Sequence, residues 1–176
     1  MLNANLGRLK IGLAAMLLLG CAAIGCQQQQ ADALVTGQAA RNIMLENVEI
    51  YNTGNMELIE QVIAPNYVGH YSSMEGPAVG RDGLRDWVDL NRGAYSDFKV
   101  TVDQIITEGN MVCMQWTVTG TNDGPLRDLP PTGKPIRVTG LTMARIADGK
   151  IVEEWITWNM LEVNRQLGYT MVAPEM

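Results

Sequence analysis

Near residue 98 the spacing of apolar residues changes from helical to alternating, and this change constrains the fold more than any single motif. Upstream, Ala40, Ile43, Met44, Val48 and Tyr51 recur at helical intervals, the mark of a helix with one buried stripe. Asn52-Thr53-Gly54-Asn55 interrupts it. Met56, Ile59, Val62 and Ile63 predict a second short helix, stopped by Pro65. Asn66 to Tyr71 reads as short and β-like, and Gly76-Pro77 as a loop. A third helix is expected from Arg81 to about Arg92, with Leu84, Trp87 and Val88 inward and a solvated face of Arg81, Asp82, Arg85, Asp86 and Asp89. Downstream, Phe98, Val100 and Val102 alternate with Lys99, Thr101 and Asp103. After a turn at Glu108-Gly109-Asn110, Val112, Met114, Trp116 and Val118 alternate with Cys113, Gln115, Thr117 and Thr119. A loop rich in Gly and Pro runs from Asn122 to Pro135. Ile136 to Ala147 is the next strand, Asp148-Gly149 is a two-residue hairpin signal, and Lys150 to about Met160 pairs back.

Three helices followed by a four-strand antiparallel meander define an α+β fold with the helices on one face of the sheet. Such a sheet must curl round its helices to bury them, which leaves a pocket at the open end suited to a hydrophobic small molecule. With 47% apolar and 18% charged residues in 176, the chain can bury the core of one domain. A net charge of −6 leaves no basic face for a phosphate backbone, so no nucleic-acid partner is expected. One His and 3 Cys are too few for a structural zinc site or a disulfide scaffold, and no metal is expected.

The N-terminal segment reads as an address. Arg8 and Lys10 precede an uncharged apolar run from Ile11 to Gly25, which fits a secretory leader better than a membrane span. Leu18-Leu19-Gly20-Cys21 and Ala23-Ile24-Gly25-Cys26 each resemble the bacterial lipobox, whose Cys becomes an acylated N-terminus. Cys26 is favoured because the polar tether Gln27 to Gln30 follows it, while Cys21 has the better upstream Leu. The expected organisation is a leader over 1–25, a polar linker over 26–37 and one domain over 38–176. Removing 1–25 takes away two basic residues and no acid, so the mature charge is −8. A lipid-anchored protein of the bacterial cell envelope is expected, with plain secretion as the alternative. Cys113, between Val112 and Met114, is then the remaining internal thiol and reads as buried and inert.

Asn66-Tyr67-Val68-Gly69-His70, Gly120-Thr121, Pro130-Pro131-Thr132-Gly133-Lys134, Asp148-Gly149-Lys150-Ile151-Val152-Glu153-Glu154-Trp155 and a closing Gln166-Leu167-Gly168 occur in that order. Together they resemble the SnoaL-like polyketide cyclase and ester cyclase group of the nuclear transport factor 2-like superfamily, from about Arg41 to Tyr169. The resemblance implies a cone-shaped barrel: a strongly curved antiparallel sheet wrapped around N-terminal helices, with an apolar pocket inside. It also implies a homodimer paired through the outer sheet face, and proton transfer without a cofactor during an aldol closure. In the cyclases a His on the strand before the Asp-Gly hairpin and an Asp after the Trp on the strand behind it move the protons. Here those positions hold Thr142 and Ile156, and Ile156 cannot carry a proton. The loop position often occupied by His is Asn122, and Asn159 stands where many ester-cyclase-like members have Asp.

Two residues are therefore expected to carry protons. His70 is the only His, at a place near the pocket mouth where family members often carry one, and imidazole titrates near neutrality. Glu154 shares strand parity with Ile156 and Trp158, so if that face lines the pocket Glu154 points in and Glu153 out. Tyr67 and Tyr71 are expected at the mouth, Trp116 and Trp158 in the pocket wall, and Thr142 and Asn159 near its floor. Trp155 is assigned to packing, Arg145 to a cross-sheet ion pair and Asp148 to the turn. Three functions stay open: a cyclase or isomerase acting on a hydrophobic carbonyl compound, a membrane-tethered carrier of a hydrophobic ligand without chemistry, and an interaction module. For the anchor, Cys26→Ser should move the full-length protein from the membrane to the soluble fraction while Cys21→Ser leaves it bound. The reverse pattern would assign the lipid to Cys21, and a parent protein found in the soluble fraction would remove the anchor.

Overall fold

The computed structural model describes residues 37–170. The leader, most of the polar linker, Cys21 and Cys26 lie outside the described residues. A helix over residues 37–53 (α1) buries Ala40, Met44, Asn47, Val48 and Ile50 along one stripe. α2 (Glu57–Val62) buries Ile59 and Val62, and Ile63 already has extended geometry as its C-cap. The second helix thus ends before Pro65, which sits inside β1 (Ile63–Tyr71). The register of β1 shifts between Ile63 and Val68, an irregularity that can accommodate a residue with no N–H to donate. A two-residue strand, β2 (Ala78–Val79), leads into α3 (Gly80–Ala94), which buries Leu84, Val88 and Ala94.

The meander follows as β3 (Lys99–Glu108), β4 (Met111–Thr121), β5 (Pro135–Ala147) and β6 (Lys150–Trp158). Every second residue of β5 is buried from Ile136 to Ile146, and the residues between face outward. α4 (Met160–Leu167) was not legible as a helix. Asn159 caps it by accepting the Glu162 N–H at 3.1 Å, and Gly168 ends it at φ 89°.

The sheet has six strands rather than four, in the order β2-β1-β6-β5-β4-β3. The meander is antiparallel, but β1 lies parallel to β6. Register shifts at Val102/Gln104 and at Arg145/Ile146 bend the strands, as bulges do, and curl the sheet round the helices. Met44, Ile50, Ile59, Ile63, Leu84, Val88 and Ile151 pack in the core on the concave side. The outer face carries exposed Ile106, Leu141 and Met143, and Cys113 is half-buried there rather than fully buried. Arg145 and Glu153 pair across it at 2.9 Å.

One close approach sets the width of the interior. Gly140 lies opposite Trp116 in the β4–β5 pair, and a Cβ there would collide with the indole ring and with the Thr157 carbonyl. Gly140→Ala should therefore displace the indole and cost about 1–3 kcal/mol. Thermal melts together with Trp fluorescence test this; an unchanged melting temperature and spectrum would contradict it.

Candidate active site

Between the concave sheet and α1, α3 and α4 lies a cavity of about 380 Å³. Its walls are largely aromatic: Trp87 from α3, Trp116 from β4, Trp158 from β6, and Tyr71, Tyr95 and Phe98. Ring centroids lie 4.5 Å apart for Tyr71–Trp87, 5.7 Å for Trp87–Trp158 and 6.5 Å for Trp116–Trp158, so the rings form a continuous tilted wall. Trp116 donates its indole N–H to Thr142 Oγ1 at 2.9 Å. That leaves the Thr142 O–H proton free to donate elsewhere.

Glu154 reaches into this cavity from β6 and is 1% exposed. Its Oε1 accepts from Asn47 Nδ2 at 3.1 Å, and its Oε2 accepts from the Tyr67 hydroxyl at 2.8 Å. The Tyr67 and Tyr71 hydroxyls lie 3.1 Å apart. The parallel register sets Gly69 opposite Glu154, so the two tyrosines flank the carboxyl along β1. Gly69 is required for this. A Cβ there would come within 2.5 Å of the Tyr67 hydroxyl and 2.7 Å of the Tyr71 ring.

Burial pushes the Glu154 carboxyl up to about 7, and the Tyr67 hydrogen bond opposes that rise. Burial also holds the Tyr67 and Tyr71 hydroxyls well above the usual phenol range, with the nearby Glu154 charge adding to it. The tyrosines therefore serve as neutral hydrogen-bonding groups, and the carboxyl is the group that exchanges a proton near neutrality.

The structure divides the expected site residues. Glu154, Tyr71, Trp116, Thr142, Ile156 and Trp158 all border the cavity. Tyr67 is not at the mouth: it is fully buried behind Tyr71 and bound to Glu154. His70 is not in the cavity with Glu154. It alternates outward from Tyr71 on β1, pairs with Glu153 at 3.1 Å and stacks on Trp155 at 5.6 Å, against a separate surface hollow. Asn159 is not on the floor; it is exposed and spends its side chain on the α4 cap.

Sequence reasoning missed Asn47 and the pocket role of Trp87. Asn47 stands one turn from both Met44 and Tyr51 on an otherwise apolar stripe, and that polar break was the available signal. Its Oδ1 is buried with no partner among the described residues. The Gly/Pro-rich loop closes over one side of the cavity with Leu126, Arg127 and Leu129. Buried Asn122 ties it down, donating to the Ala94 and Gly124 carbonyls and accepting from the Thr132 N–H and hydroxyl.

A model of the SnoaL-like polyketide cyclase family matches residues 41–167, and the chain belongs to that family. No curated protein matches it. Among solved structures it is similar to a candidate SnoaL-like polyketide cyclase of Jannaschia sp. CCS1, with a TM-score of 0.70 and 20% identity over 77% of this chain and 95% of that one. IdmH of Streptomyces antibioticus, described as a candidate polyketide cyclase, gives a TM-score of 0.65 and 28% identity over 73% and 98%. A candidate polyketide cyclase of Acidithiobacillus ferrooxidans gives 0.66 and 27% identity over 73% and 94%. These likenesses agree with the curved-sheet α+β architecture.

The buried carboxyl makes stability depend on pH. Its folded-state value of about 7 lies above its ordinary 4.5, so ionisation destabilises the fold. The stability present while the carboxyl is neutral in both states is lost as pH rises from 4.5 through about 7, by at most roughly 3 kcal/mol. Glu154→Gln should lack this loss, so its stability relative to the parent should climb across that range and level off above it. Denaturant unfolding at a series of pH values measures the difference; a constant offset would contradict it.

Proposed function

We propose that this protein is a cofactor-independent acid/base enzyme, a cyclase or isomerase acting on a hydrophobic carbonyl compound, with Glu154 as the proton acceptor. One observation carries the reading: a carboxyl raised to about 7 borders a largely apolar, aromatic cavity and is held by Asn47 and Tyr67. The aromatic wall takes the flat apolar body of the substrate. The free Thr142 O–H donates to the carbonyl oxygen, where negative charge develops as a neighbouring C–H proton leaves for Glu154. Thr142 and Glu154 thus divide the task that the family's cyclases give to a His and an Asp. Membership in the SnoaL-like family supports the reaction class.

The alternative, a membrane-tethered carrier without chemistry, draws on a specific feature: Ile156 replaces the family's pocket Asp and offers no proton. In either case we place the protein at the cell envelope, acylated on Cys26, with its homodimer contact on the outer face near Ile106, Leu141 and Met143.

The ketone 2-tetralone, whose α-hydrogens are acidic and whose body is bicyclic and apolar, tests the enzyme reading by isotope exchange with solvent. The purified protein should catalyse exchange, Glu154→Gln should lower it about 100-fold or more, and His70→Ala should stay within about twofold. Exchange that survives in Glu154→Gln would overturn the assignment. Binding without exchange in the parent would favour the carrier.

A further inference from the structure

Resting on the reading of Glu154 as proton acceptor, we propose that Tyr71 is the group that meets the ligand's proton, relaying it through Tyr67 to Glu154. The charge on Glu154 would then decide whether Tyr71 accepts or donates a hydrogen bond in the cavity.

The argument is a count of protons along a chain of fixed distances. Glu154 is 1% exposed and both of its oxygens are engaged. Tyr67 is fully buried and does not border the cavity, whereas Tyr71 does. Each hydroxyl owns one proton. When Glu154 is ionised, Tyr67 spends its proton on Oε2 at 2.8 Å and has none left for Tyr71, which is then the donor across the 3.1 Å gap. One lone pair of Tyr71 then meets the Tyr51 hydroxyl of α1, and the other faces the cavity. When Glu154 is protonated on Oε2, because Asn47 N–H occupies Oε1, the order reverses. Glu154 donates to Tyr67, Tyr67 to Tyr71, and the Tyr71 O–H points at the ligand.

Proton abstraction is therefore three concerted transfers. The ligand's C–H or O–H bond breaks and its proton joins the Tyr71 oxygen. The Tyr71 proton passes to Tyr67 and the Tyr67 proton to Glu154. The bonding pair stays on the ligand, the negative charge moves from Glu154 to the ligand, and both tyrosines end neutral. Gly69, with no Cβ to part the two tyrosines, keeps the relay closed. The titratable groups facing Glu154 are Tyr51 from α1 and Tyr67 and Tyr71 from β1. Opposite it, β5 places Ala144. The charged cavity residues Arg127 and Asp128 are exposed on the Gly/Pro-rich loop.

The test is the affinity of the purified full-length protein for 2-naphthol, an O–H donor, and 2-tetralone, a carbonyl acceptor. Both are read by Trp fluorescence while the Glu154 carboxyl band is followed by infrared, so that each variant is compared across its own titration. In the parent, 2-naphthol should tighten and 2-tetralone weaken, each about fivefold, as Glu154 ionises. Tyr67→Phe should flatten both curves without abolishing binding, and Tyr71→Phe should remove the difference between the probes. A reversal that persists in Tyr67→Phe would overturn the relay, because the ligand then meets Glu154 directly. Flat curves in the parent, or no binding of either probe, would overturn it too. The two proposals separate: reversal without isotope exchange sinks the enzyme and keeps only the hydrogen-bond switch at Tyr71, and exchange without reversal keeps the enzyme and sinks the relay.

Discussion

The parallel pairing of β1 with β6 is the contact on which the rest of this architecture depends. The meander from β3 to β6 is built from neighbours in sequence and could form as a local sheet. β1 comes from before α3, and the Tyr67–Glu154 hydrogen bond it carries spans 87 residues. Without it β6 would be an open edge, and the inner face of that edge would present Glu154 to water. With it the curved sheet wraps further round α1 and α3, Gly69 comes to rest opposite Glu154, and two tyrosine hydroxyls cover the carboxyl. One long-range pairing thus creates both the enclosure and its chemistry.

Consecutive glutamates show what that enclosure does. Glu153 faces outward, where Arg145 and His70 hold its carboxyl below the ordinary range. Glu154 faces inward, where burial raises it to about 7. The same side chain, one residue apart on one strand, is a settled anion on one face and a carboxyl that titrates near neutrality on the other. Two hydrogen bonds offset part of the burial cost of Glu154 and leave it able to titrate. The aromatic wall works against them, keeping the surroundings of the carboxyl poor in other charges and its value raised.

Much of this is legible in the sequence wherever a local rule applies. Strict alternation located the strands of the meander, Asp148-Gly149 marked the final hairpin, and strand parity turned Glu154 inward and Glu153 outward. The failures share one cause. His70 drew attention as the only imidazole, but its chemistry says nothing of which side of β1 it occupies, and Tyr71 beside it took the inner face. Asn159 carried a family position, yet its oxygen went to the first turn of a helix that no period announced. Nothing local shows that Glu154 claims the Tyr67 hydroxyl, so the sequence alone leaves Tyr67 at the mouth. Asn47 was hidden in a stripe read for its apolar members.

By itself, the sequence determined the three N-terminal helices, the strands of the meander, the hairpin and the alternation that sorts those strands into an inner and an outer face, because these follow from backbone geometry and side-chain period within a few residues. Only the tertiary structure decided that β1 joins β6 in parallel, that Gly69 stands where two tyrosines must meet, and that Asn47 and Tyr67 share one carboxyl. Those are agreements between segments far apart in the chain. The setting of the buried carboxyl is defined by distances of about 3 Å between such segments, which no local spacing encodes.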